Sequence, residues 1–214
     1  MLRLEPRAQP SKLWRYASPL LALAITVVLG VILFVALGKD PVRGLQVFFW
    51  EPIKSVYALS ELMVKATPLL LIALGLAVCF RSNVWNIGAE GQFVMGAVFA
   101  SGMALSADAN TGAGFWVLIL LAGIAGGMVW AGITAFLRDR FHASEILVSL
   151  MLVYVAIMLL NFLVYGPWKD PLGYNFPQTK TFDAITHIPK LISGTRVNIG
   201  VLLALAGVGA LWVF

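Results

Sequence analysis

Six stretches of 15 or more residues in this chain contain no charged residue, and their lengths constrain the fold more than any other feature. They cover residues 19–38, 66–80, 91–107, 109–137, 146–168 and 197–214. A helix needs roughly 20 mainly apolar residues to cross a bilayer, and about 17–25 are tolerated. The stretch 66–80 reaches that length if its helix extends back to Leu59, because Glu61 and Lys65 lie four residues apart and can pair near the membrane surface. The sequence therefore predicts an all-α polytopic transmembrane bundle of about six spans.

The composition agrees with a chain whose main solvent is lipid. Hydrophobic residues make up 60% of the chain and charged residues 12%, against about 45–50% and 25% in soluble globular proteins. A soluble domain of this size could not bury so much apolar surface. The strict alternation of a β-barrel strand is absent, and a single cysteine argues against a disulfide-stapled fold. We expect a multi-pass membrane protein.

The distribution of basic residues predicts the orientation of the chain. Its 15 Lys and Arg residues flank the apolar stretches without forming a basic block, so no nucleic-acid partner is expected. Arg81, Arg138 and Arg140 follow the second and fourth stretches, whereas the short loop 106–114 has no Lys or Arg. Because cytoplasmic loops are enriched in Lys and Arg, the pattern favours a cytoplasmic N-terminus.

A stripe of small residues marks one face of the fourth predicted span. Gly123, Gly127, Ala131 and Ala135 recur every four residues, so they lie one above another on a helix. Small residues allow helix backbones to approach closely in lipid. We interpret the stripe as a helix-packing seam, and a pore-lining face is the alternative.

The segment 81–92, called the elbow below, concentrates polar residues between the second and third spans. Its polar and glycine candidates are Asn83, Asn86, Gly88, Glu90, Gly91 and Gln92. An ionisable group facing lipid costs several kcal/mol, so Glu90 should face protein or water. Helix capping by Asn86, or a favourable dipole at Glu90, explains one polar residue rather than four. The elbow is predicted to be a structural turn near a translocation path, with direct substrate contact as the alternative.

Three motifs of the chain resemble those of one transporter family. They are Asn-Ile-Gly-Ala-Glu-Gly-Gln at 86–92 followed by Met-Gly-Ala at 95–97, the segment 141–154, and the proline-rich segment 165–179. Together they resemble the membrane permease subunits of bacterial ABC importers. The similarity is to the branched-chain amino acid/ribose-type superfamily, in its nucleoside and simple-sugar branch, and it covers essentially the whole chain.

The resemblance implies a single transmembrane permease domain over 1–214, the N-terminal part of a longer family-type permease. Residues 1–18 would be cytoplasmic, and 166–196 would form an extracytoplasmic loop. The chain would be a multi-pass protein of the plasma membrane and would translocate a nucleoside or simple sugar across it without being an enzyme. Separate cytoplasmic ABC ATPase subunits would use ATP, an extracytoplasmic solute-binding protein would deliver the solute, and no cofactor would bind to this chain. A second permease subunit or a missing C-terminal half would complete the path.

Two features qualify this interpretation. The family's Ala-Gly-Asn-Ala-Ala-Gly-like coupling segment is absent from the sequence, so we expect a truncated permease. The nucleotide-binding pattern G-x-x-x-x-G-K-[ST] is absent as well, which places ATP hydrolysis on another chain. With two His and one Cys, the sequence offers no metal cluster and no catalytic residues.

In addition to the elbow residues, the sequence offers three candidates at the cytoplasmic face: Arg138, Arg140 and Glu145. They are expected to form an interfacial ion pair or to contact the coupling machinery. Two other functions remain open. An ion-coupled secondary transporter needs an ionisable residue at mid-membrane depth, and only Glu90 comes close. A truncated, non-transporting membrane subunit would need no polar elbow.

Overall fold

The computed structural model describes residues 11–108, 111–112, 114–174 and 176–213, except for the side chain of Lys12. These residues form seven α-helices: α1 (Lys12–Ala36), α2 (Pro41–Leu45), α3 (Val56–Arg81), α4 (Ala89–Leu105), α5 (Phe115–Phe141), α6 (Glu145–Tyr165) and α7 (Gly200–Val213). A π-helical turn over Gln46–Trp50 and a 3-10 turn over Glu51–Ile53 separate α2 from α3.

The six predicted spans all correspond to helices, which confirms the all-α transmembrane bundle. Four of them, α1, α3, α5 and α6, are long and apolar enough to cross a membrane. Helix α3 begins at Val56, so the predicted extension of the short stretch 66–80 is present. Helices α4 and α7 have 17 and 14 residues, which correspond to about 26 and 21 Å at 1.5 Å per residue. Residues 109, 110, 113 and 214 of the predicted spans lie outside the described residues.

The chain divides into two compact units between Leu62 and Met63. In the first unit, α1 ends in a turn at Gly38, whose φ of +66° is accessible to glycine without strain. Asp40 then caps α2, since its carboxylate accepts hydrogen bonds from the backbone N–H groups of Val42 and Arg43. This cap starts a short helix immediately after a long one, and α2 folds back beside the end of α1.

In the second unit, α4 packs between α5 and α6. Its buried side chains Met95 and Val98 meet Ala156 of α6, with Trp130 of α5 at the edge of the cluster. Glycines let the backbones of α4 and α5 approach closely, because a β-carbon added at Gly96 would lie 3.0 Å from the carbonyl oxygen of Gly123. The apolar side chains on the outer faces of α5 and α6 are mostly exposed, as expected for helices that contact lipid.

The described residues of the segment 166–196 are mostly irregular, but short backbone pairings hold them in place. Isolated β-bridges join Lys169 to Thr179 and Lys190 to Asn198, and a 3-10 turn covers Ala184–Thr186. Its position outside the cytoplasm stays a prediction.

Thiol labelling tests the predicted orientation. With Cys79→Ser as background, we expect a cysteine placed at Gly112 to react with a membrane-impermeant reagent in intact cells. A cysteine placed at Arg140 should react only after permeabilisation. Both residues are exposed, so accessibility alone does not separate them. The opposite pattern would reverse the orientation.

Candidate functional site

The elbow joins α3 to α4 through a turn that its asparagines help to form. Asn83 has a φ of +54°, in the left-handed region that asparagine tolerates better than most residues. Its side chain is exposed. The polar character of Asn83 is therefore accounted for by the backbone of the turn.

Asn86 and Gln92 form a reciprocal amide pair within the elbow. The Asn86 Nδ2 donates to Gln92 Oε1 at 3.1 Å, and the Gln92 Nε2 donates to Asn86 Oδ1 at 3.2 Å. The same Oδ1 accepts a hydrogen bond from the Gly88 N–H at 3.0 Å, just before α4. Both side chains are half-buried, so the pair fixes the turn and presents amides at its inner surface.

Glu145 links the elbow to α5 and α6. Its Oε1 accepts a hydrogen bond of 2.8 Å from the Trp85 N–H, 60 residues away in sequence. Its Oε2 forms an ion pair with the Arg138 guanidinium near the end of α5. The Glu145 side chain is 15% exposed and that of Arg138 is 49% exposed. The carboxylate thus joins three segments at the start of α6.

These groups line a cleft of about 690 Å³, called the elbow cleft. Its lining residues include Asn86, Gln92, Ala131, Thr134, Ala135, Arg138, Asp139, His142 and Glu145. A second cleft of about 470 Å³, the α3 cleft, is lined by apolar residues of α3 that include Pro68 and Leu71. Asn86 and Gln92 line both clefts, together with Cys79. The amide pair therefore lies where the two clefts adjoin.

The remaining predicted site residues lie elsewhere. Glu90 and Arg140 are exposed and are not among the residues that line either cleft. Gly88 and Gly91 are buried against α6, where added β-carbons would lie 2.8 Å from the Ser149 β-carbon and 3.0 Å from the Val153 α-carbon. These two glycines bring the start of α4 close to α6.

The small-residue stripe on α5 divides between two roles. Gly123 lies against Gly96 of α4, and Gly127 lies 3.4 Å, measured from a built β-carbon, from the Gln92 carbonyl oxygen. One helical turn further on, Ala131 and Ala135 line the elbow cleft instead of a helix. The stripe is thus a packing seam at its first half and a cleft wall at its second.

The polar residues Thr134, Asp139 and His142 line the elbow cleft but are not among the site residues predicted from the sequence. A signal was available, because 131, 134, 135, 138, 139 and 142 recur at the spacing of one helix face. Following that face beyond the small residues would have joined the stripe to Arg138. In the part of the chain that the structure describes, no three His, Cys, Asp or Glu residues are grouped closely enough to hold a metal ion.

Comparison with known proteins identifies a family. The family described as branched-chain amino acid transport system / permease component matches residues 58–214. The glucose ABC transporter permease protein of Haloferax volcanii is 34% identical, over 99% of this chain and 58% of its own length. The guanosine ABC transporter permease protein of Bacillus subtilis is 23% identical, over 91% of this chain and 56% of its own length.

A third relative is the nucleoside ABC transporter permease protein of Lactococcus lactis. It is 26% identical, over 87% of this chain and 53% of its own length. The chain therefore spans little more than half the length of these relatives. No solved structure matches it significantly.

Proposed function

Because the chain belongs to the branched-chain amino acid transport system / permease component family, we propose that it is a membrane-spanning subunit of an ATP-driven ABC importer. Its cargo would be a nucleoside or a simple sugar, as the relatives' names state for those proteins. Cytoplasmic ATPase subunits, an extracytoplasmic solute-binding protein and a further permease segment or subunit would complete the importer. This chain would bind no cofactor itself.

One observation carries the proposal beyond family membership: an amide pair lies where two clefts of a membrane protein adjoin. An amide offers both donors and an acceptor, and it matches the hydroxyl groups of a sugar or the edge of a nucleobase. The apolar α3 cleft supplies the surface against which a ring can pack. Asn86 and Gln92 are therefore the proposed points of solute contact.

The turn between α5 and α6 is the proposed contact with an ATPase subunit. Here Arg138 and Glu145 hold the helix ends to the elbow. ATP can shift the importer between two states only through contacts that differ between them. A displacement of the α5–α6 turn would be transmitted through Glu145 to Trp85, which is adjacent in sequence to Asn86 of the amide pair.

Ion coupling is not favoured by the position of Glu90. It lies in the first turn of α4, near the helix end, and its side chain is exposed. A coupling carboxylate is expected at mid-membrane depth among protein groups. The role of Glu90 beside a translocation path stays a prediction.

Uptake measurements test the proposed function. The chain is expressed with the ATPase, solute-binding protein and permease partner encoded with it, and uptake of labelled guanosine and glucose is measured after collapse of the proton gradient. Uptake of one of them should persist. Asn86→Leu should lower it about tenfold, because the solute loses a hydrogen-bonding amide and the Gln92 amide loses its partner, which together cost about 1–3 kcal/mol.

The exchanged variant N86Q/Q92N retains two amides and should recover part of the uptake. Asn161→Leu is the matched control, since Asn161 is exposed on α6 and lines neither cleft. Uptake that disappears with the proton gradient would contradict ATP-driven import. Unchanged uptake by Asn86→Leu would contradict the solute contact alone.

A further inference from the structure

The first unit contains a groove that the transport proposal does not use. It has a volume of about 1010 Å³ and lies between α1 and the segment that follows it. Gly44 of α2 allows this arrangement, because a β-carbon there would lie 2.7 Å from the Phe34 ring. The groove is thus formed by the fold of the unit rather than by a loose loop.

The groove is apolar along its length and basic at one end. Its apolar lining includes Leu23, Val27, Phe34, Leu45, Val47 and Phe48. At the rim lie Lys39, Asp40 and Arg43. The Asp40 carboxylate accepts hydrogen bonds from the N–H groups that begin α2. The rim therefore has a net charge of +1, with its one carboxylate engaged in a helix cap.

The depth of the groove matches one leaflet of a bilayer. Leu23 and Phe34 both line it, and their separation of 11 positions corresponds to about 17 Å along α1. The hydrocarbon core is about 30 Å thick, so one leaflet accounts for about 15 Å. The two cations lie just beyond the end of α1, where the headgroups of that leaflet would be.

We propose that this groove binds an anionic phospholipid, with an acyl chain along α1 and the phosphate beside Lys39 and Arg43. An amphiphile fits the lining better than a protein helix does, because one end is basic and the rest is apolar. The floor of the groove has room for a chain at Gly30, where a built β-carbon meets no atom within 4 Å.

Native mass spectrometry of the purified chain tests this site. It is titrated with phosphatidylglycerol and, separately, with phosphatidylcholine. K39Q/R43Q should weaken phosphatidylglycerol binding about tenfold, because each cation near an anionic headgroup contributes to binding. Phosphatidylcholine binding should change little. Gly30→Leu should weaken both, because leucine fills the acyl position while suiting a helix.

Two control variants separate the groove from general effects. Lys54→Gln removes a cation that is paired with Glu51 and does not line the groove. Gly132→Leu makes the same glycine change on α5, again with no atom within 4 Å of the built β-carbon. Both should bind lipid as the parent chain does.

Crosslinking identifies the occupant in the membrane. With Cys79→Ser as background, a photoreactive probe on a cysteine at Gly30 should label phospholipid. Labelling of a protein partner instead would make the groove a protein interface and overturn the proposal. Equal affinity for the two lipids in the parent chain, or no loss in either groove variant, would also overturn it.

Discussion

Gly91→Val is expected to lower the midpoint of thermal unfolding of the second unit by about 2–12 °C. The added β-carbon would lie 3.0 Å from the Val153 α-carbon and 3.3 Å from the Leu152 carbonyl oxygen. Both are backbone atoms of α6, so no side-chain rotation relieves the contact. Overpacking of this kind costs about 1–3 kcal/mol, and each kcal/mol shifts the midpoint by about 2–4 °C at this size.

Gly132→Val is the matched control for this prediction. It makes the same change within α5, where a β-carbon meets no atom within 4 Å. Each variant replaces one helical glycine with valine, so the change in helix propensity is about the same in both. Intrinsic tryptophan fluorescence in mild detergent measures the midpoints. Equal midpoints for the two variants would show that the approach of α4 to α6 does not stabilise the unit.

The spans could be predicted because the bilayer sets their length and excludes charge. Even the shortest stretch, 66–80, was extended correctly, since a pair four residues apart is compatible with a helix entering the interface. The exact ends of the helices could not be predicted in this way. Helix α7 begins at Gly200, whereas its apolar stretch begins at 197, because Asn198 forms a β-bridge with Lys190.

The elbow shows where sequence reasoning stops. Four polar residues in one short segment indicate a site, but the structural role of each residue depends on three-dimensional contacts. Asn83 adopts a left-handed turn conformation, Asn86 and Gln92 bind each other, and Glu90 is exposed. Composition and spacing alone do not distinguish these three situations.

The ion pair between Arg138 and Glu145 could be predicted from their proximity in sequence. The hydrogen bond from the Trp85 N–H to Glu145 could not. The Trp85 N–H is a backbone group, and backbone donors carry no sequence signal. Its partner lies 60 residues away, beyond the reach of any local pattern. The site as a whole is therefore assembled by packing of α4 against α5 and α6, which glycines at 91 and 96 permit.

Glu145→Ala is expected to release the elbow from α5 and α6. The substitution leaves the Trp85 N–H without its acceptor and the Arg138 guanidinium without its carboxylate. A hydrogen bond to a charged group contributes about 1.5–3 kcal/mol, whereas the half-exposed ion pair contributes about 0–1 kcal/mol. The Trp85 bond is therefore the larger loss.

Hydrogen–deuterium exchange measures this loss where it occurs. In Glu145→Ala, exchange at the Trp85 amide should become about tenfold faster or more, since about 1.4 kcal/mol corresponds to a factor of ten. Glu145→Gln retains an oxygen acceptor and should give a smaller increase. Glu51→Ala removes an exposed pair with Lys54 and should leave the Trp85 amide unchanged. An unchanged exchange rate in Glu145→Ala would mean that the elbow is held by the packing of Gly88 and Gly91 against α6, without a contribution from the carboxylate.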